Sequence, residues 1–114
     1  MVFVWALFMK TFRALDLAVE FYKKTEEVKV TGNLRDQLMR AASSIALNLS
    51  EGNAKRTEKE KKRYYHTAYA SCQECKTILQ LAGFTGAPIS VSADVLGAHL
   101  YRLLGSKIQE SKIC

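Results

Sequence analysis

Three groups of residues in this chain of 114 could do chemistry. Cys72 and Cys75 have the C-x-x-C spacing that can hold zinc or cycle between dithiol and disulfide. The run Lys55-Arg56-Thr57-Glu58-Lys59-Glu60-Lys61-Lys62-Arg63 sets six positive charges against two negative ones, a density able to neutralise phosphates. Gln37, Arg40, Ser44, Asn48 and Glu51 recur at helical spacing. They lay a polar band beside an apolar stripe, which can bind a ligand or lock helices in register.

Each group also has a plainer reading. Zinc takes about four ligands, and the chain offers only two histidines, His66 and His99. On a helix His66 points about 120° away from Cys72, and no strand precedes the pair as a thioredoxin-type site requires. Both cysteines fall on a core stripe, where a thiol behaves as a small apolar residue, so no metal and no cofactor are expected. There is no Glu-x-x-His pair for a di-iron bundle site, no glycine-rich phosphate loop, and no serine with a base and orienting acid legible beside it. These residues predict a protein that is not an enzyme.

The basic run can be simply the solvated start of a helix. Cations there oppose the helix dipole, however, and that cost favours a second use. Lys59, Arg63 and His66 project together from the outer face, while Tyr64 and Tyr65 turn towards the core and away from base stacking. Lys55, Arg56, Lys59, Lys62 and Arg63 are therefore the candidate nucleic-acid contacts. The polar band reads as a structural network of Gln37, Arg40, Ser44, Asn48 and Glu51 joined by Glu74 across helices, with Arg40 expected to pair with Glu51 or Glu74.

The elements that must position these groups are four helices, over about 10–28, 34–53, 58–83 and 93–111. Leu34, Leu38, Ala41, Ile45 and Leu49 share one face of the second. Asn33 is a candidate N-cap, and Gly52 a stop signal. Thr57 and Glu60 have capping-box spacing at the start of the third helix. Its stripe is Tyr64, Tyr65, Ala68, Cys72, Cys75, Leu79 and Ala82, and Thr85-Gly86-Ala87-Pro88 reads as a turn. Leu96, Leu100, Leu103, Leu104 and Ile108 line the fourth. On the first, Leu15, Ala18, Val19 and Tyr22 form one apolar face, and Leu17, Phe21 and Val28 lie nearly opposite. A helix apolar on two sides must be covered on both, so the second group is the expected oligomer interface. Short connections between four helices give an all-α, up-down-up-down antiparallel four-helix bundle in one domain.

The segment Gln37-Leu38-Met39-Arg40-Ala41-Ala42-Ser43-Ser44-Ile45-Ala46-Leu47-Asn48-Leu49-Ser50-Glu51-Gly52 resembles the motif Q-L-x-R-A-x-x-S-I-x-x-N-I-A-E-G of the 23S ribosomal RNA intervening-sequence proteins. Tyr64, Tyr65, Ala68, Ala70, Ser71 and Glu74 look like that family's third-helix positions, so the likeness runs over roughly residues 10–112. Leu49, Ser50, Ala70 and Cys75 depart from the usual residues by small or volume-tolerant changes. The resemblance implies a four-helix bundle related to the accessory proteins of diversity-generating retroelements, and a homo-oligomer of five subunits. It points to RNA or DNA as partner, with another protein as the alternative. Members commonly start near the position of Met9, so residues 1–9 read as an upstream extension from a misplaced start. The competing view is that they lengthen the first helix against a neighbouring subunit.

Composition sets the outer bounds. A chain that is 48% hydrophobic and 25% charged folds as a globular domain rather than staying disordered. One proline and six glycines favour long helices. A net charge of +6 suits a nucleic-acid, acidic-protein or anionic-surface partner, or serves solubility. Three cysteines, two of them within a helix, point to a reducing, cytoplasmic setting. The apolar start is too short to span a bilayer, which takes about 20 apolar residues, so no membrane role is expected.

Overall fold

A computed structural model describes the backbone of residues 2–113 and the side chains of Met9 and residues 12–104. It contains four helices, α1 (Val2–Glu27), α2 (Gly32–Asn53), α3 (Glu58–Leu81) and α4 (Pro88–Ile113). The helical backbone of α1 continues through the apolar start. The side chains of residues 1–8, and that of Ile108, lie outside the described residues, and with them the expectations that rest on these side chains.

Each helix packs against its neighbours in sequence, and α1 also packs on α4. Diagonal helices do not meet among the described contacts. The first connection, residues 28–31, can reach about 14 Å, whereas a helix the length of α2 is about 33 Å long. Helices that lie along one another with such short links must alternate in direction. The result is a four-helix bundle with the α2–α3 connection at one end and the other two connections at the opposite end.

The core is built from alternating small and large side chains. Leu38, Ile45 and Leu49 of α2, Leu79 of α3, and Leu96, Leu100 and Leu104 of α4 are fully buried, with Ala14, Ala18, Ala42, Ala68, Cys72, Cys75 and Ala93 between them. Each buried Leu or Ile contributes about 1.5–3 kcal/mol, and the small residues let the helix axes approach. Thr25 is buried as well, its hydroxyl donating to the Tyr22 carbonyl of its own helix.

Several boundaries and faces differ from the sequence reading. On α1 the core face is Ala14, Ala18, Phe21 and Thr25, rotated by about 80° from the stripe expected at about 100° per residue. Phe21 is only 2% exposed and fills the interior of its own chain, so it is not an interface residue. Leu17 and Val28 pack at the edge of the same core. Alanines at 14 and 18, where helices come close, decide which side turns inward, and counting large residues misses this. The N-cap of α2 is Thr31 rather than Asn33, with no side-chain bond, because the chain turns at Gly32 with φ of 62°. Gly52 lies within α2, buried, and does not stop it.

Helix α3 starts as expected, with the Thr57 hydroxyl accepting from the Glu60 N–H at 3.1 Å. Gly83, at φ 87°, closes it, its own N–H bonding to the Gln80 carbonyl and that of Phe84 to Leu79. This pair of bonds is the Schellman arrangement. Helix α4 starts at Pro88, five residues before the expected start at 93. Proline suits a first turn, where its missing N–H would have no partner anyway.

Candidate nucleic-acid interface

The site begins at the α2–α3 corner, which is held unusually close. A Cβ built on Gly52 would lie 2.8 Å from Tyr65 Cε1 and 3.0 Å from Tyr64 Cβ. Glycine is therefore present for helix approach. Tyr65, buried against it, donates its hydroxyl to Asn53 Oδ1 at 2.6 Å, and Lys61 Nζ donates to the Asn53 carbonyl at 3.2 Å. Burial, with a smaller contribution from the negative charge of Glu58, pushes the Tyr65 phenol up to about 12. Asn53 was not singled out in the sequence, and only its place after the Glu-Gly pair could have signalled it.

This corner sorts the basic run into two kinds of cation. Lys55 lies 3.9 Å from Glu51 and 5.2 Å from the Tyr64 ring centre. Lys61 caps the end of α2, and Lys62 is half-buried with a partner of its own. Arg56, Lys59 and Arg63 are exposed, as is His66, and no ion pair joins them to an acid among the described residues. Lys59, Arg63 and His66 follow at i, i+4 and i+7, which aligns them on one face of α3. Of the five contacts expected from sequence, the structure thus leaves Arg56, Lys59 and Arg63 open and engages Lys55 and Lys62 within the chain.

Beside this column lies the polar seam of α2 and α3, and it is smaller than expected. Ser44 and Ser71 share a hydrogen bond of 2.9 Å across the helices. The Asn48 amide donates to the Ser44 carbonyl and hydroxyl at 2.8 and 3.0 Å. Arg40 pairs with neither Glu51 nor Glu74, and all three are exposed. The reason is geometric: eleven residues along a helix separate Arg40 from Glu51 by about 16 Å. Gln37, half-buried, makes no side-chain bond among the described residues. The network is therefore Ser44, Asn48 and Ser71, with Gln37, Arg40, Glu51 and Glu74 outside it.

The cysteines behave as core. Cys72 and Cys75 are fully buried, and the Cys72 thiol donates to the Ala93 carbonyl at 3.5 Å. Burial pushes Cys72 up to about 11, with Lys76 opposing and Asp94 adding to the rise. Burial raises Cys75 further, helped by Cys72 and Glu74. Thiols that hold their protons this firmly are poor nucleophiles and poor ligands. No group of three metal-binding side chains occurs among the described residues. A cavity of about 580 Å³ opens at the opposite end, lined by Val28, Phe84, Pro88 and Ile89 with Lys24, Lys29, Glu27 and Ser92, and Lys24 Nζ donates to the Ser92 hydroxyl at its edge at 3.2 Å. Among the described residues no helix is long and apolar enough to cross a membrane.

Comparison with known proteins bears on the same segment. Residues 11–88 match the family model described as 23S rRNA-intervening sequence protein. No curated protein and no solved structure gives a match. The match covers more than half of the chain, including all of α2 and α3, and the chain belongs to the 23S rRNA-intervening sequence protein family.

Proposed function

We propose that this family member is a non-enzymatic scaffold that assembles with copies of itself and holds RNA or DNA by phosphate contacts. The observation that carries the reading is the set of exposed cations Arg56, just before α3, and Lys59 and Arg63 on it, left without acid partners among the described residues beside a closely packed corner. A rigid row of cations neutralises phosphates without reading bases. Lys55 and Lys62 add to the positive field from their engaged positions. The family's name, which ties it to intervening sequences of ribosomal RNA, favours RNA among the partners.

Assembly, with five subunits as the count proposed, has a different motive from the one the sequence offered. Phe12 and Val19, at i and i+7 on α1, are 52% and 40% exposed, with half-buried Leu15 between them. A second copy covering this stripe removes apolar surface from water. Replacing Phe12 and Val19 together by Glu should lower the solution mass to that of one chain without loss of helix. A wild-type protein already monomeric at micromolar concentration counts against assembly.

Binding is tested by titrating the protein with structured RNA, single-stranded RNA and duplex DNA at low and physiological salt. Affinity should fall with salt, and changing Lys59 and Arg63 to Gln should weaken every probe and flatten that dependence. If nothing binds at low salt, the exposed apolar stripe on α1 favours the second reading, a protein–protein interaction module with no nucleic-acid role.

A further inference from the structure

The basic column does not end at His66. Tyr69 stands three residues further along α3, adjacent to His66 on the helix surface. Tyr101 of α4 reaches it across the seam, with ring centres 6.0 Å apart and planes tilted by 51°. Tyr101 keeps 40% of its surface exposed, and Tyr69 is half-buried beneath it. The other tyrosines of α3 are already engaged. Tyr64 lies under the Lys55 ammonium, and Tyr65 is inside the core. Among the described residues of α3 and α4 one aromatic pair therefore remains accessible, and it stands on the flank of the cation column that faces α4, with Tyr69 about 60° round the helix from His66.

We infer that Tyr101, braced by Tyr69, is a stacking platform for an unpaired base, so that this surface takes single-stranded nucleic acid in preference to duplex. The inference rests on the phosphate-binding reading of Arg56, Lys59 and Arg63 given above. A strand that follows Lys59, Arg63 and His66 and then bends towards α4 reaches the aromatic pair within about 15 Å of rise along α3. Cations that follow the backbone and an aromatic ring for the base are the two parts that single-strand binding sites combine. A duplex presents the same phosphates, but its bases are already stacked on each other and gain nothing from the tyrosines. The preference comes from the ring, and the salt dependence from the cations. The two are separable.

The experiment compares an oligouridine strand with an RNA duplex, each of about 15 nucleotides or base pairs, a length at the upper end of a one-fold binding site. Both are measured against wild type, Tyr101→Leu and the double change of Lys59 and Arg63 to Gln. Wild type should bind the single strand more tightly than the duplex. Tyr101→Leu, which keeps apolar bulk at the seam, should weaken the single strand about tenfold, the scale of one lost base stack, and leave the duplex and the salt slope unchanged. The Gln variant should weaken both probes and reduce the slope. If duplex binds as tightly as single strand and Tyr101→Leu changes neither, the platform is overturned while phosphate binding stands. If neither probe binds at low salt, both fall. Should Tyr101→Leu melt early, ring-proton shifts of Tyr101 on adding oligouridine to wild type decide the matter. A shift supports the platform and an unmoved ring overturns it.

Discussion

The α2–α3 seam and the α1–α4 seam are built from similar helices and are packed in opposite ways. The first is closed. Gly52 admits the Tyr65 ring at a separation that a methyl group could not share, and Ser44 meets Ser71 across the gap. The second stays partly open, with a cleft of about 200 Å³ lined by Leu17, Phe21, Val91 and Val95. Lys24 bridges it to Ser92 at 3.2 Å. Residue size at the crossing explains the difference. Alanine, serine and glycine bring axes together, whereas the branched side chains of Leu17, Val91 and Val95 hold them apart. Motif-rich sequence therefore marks the tight seam, and much of the α2 motif is a signature of packing.

The strongest test of this contrast is alkali. Tyr65, Cys72 and Cys75 all belong to α3, and all hold their protons more firmly folded than unfolded. The unfolded chain ionises first. Stability should thus be undiminished by these groups below the ordinary thiol value of 9.0 and fall as pH rises through about 11 and 12, by linkage. Melting curves from pH 8 to 12 check it, and Cys75→Ala should make the decline shallower. A flat profile would mean that the closed side opens to water.

Phe21→Ala should follow in size, costing about 3–5 kcal/mol, because the open cleft ends at this ring. If denaturant unfolding shows little change, the cleft reaches the core and the contrast fails. Gly52→Ala should lose about 1–3 kcal/mol by overpacking against Tyr65, although alanine is the better helix former. A gain in melting temperature would show that the corner has slack. Ser71→Ala should cost about 1 kcal/mol, and Asn48→Leu less, since the Asn48 donors go to Ser44 of its own helix. Smallest of all, Val91→Ser on the open seam should stay within about 0.5 kcal/mol; a larger loss there would mean that this seam is covered in solution.

How much of this was legible in the sequence depends on what carried the signal. Helix α2 was, because Leu38, Ile45 and Leu49 repeat at helical spacing, and the Thr57 cap was, because its chemistry is local. The face of α1 was not, since Leu15, Leu17, Val19 and Phe21 are all apolar and only packing against α2 and α4 separates them. Pro88 read as a turn, although proline serves a helix start equally well. The basic run was visible as composition. Which of its cations are engaged depends on Glu51, Tyr64 and Asn53, reached only once the corner is folded. Tyr69 and Tyr101 are 32 residues apart, and nothing local joins them.

The two buried thiols give this molecule a built-in clock. A thiol reagent cannot reach Cys72 or Cys75 until α3 parts from its neighbours, so their rate of modification, corrected for that of Cys114, reports how often the bundle opens. When reclosing outpaces the reagent, that rate measures an opening equilibrium, and when it does not, it measures the opening rate itself. Addition of nucleic acid or of more protein should slow the clock only if the partner grips the closed form.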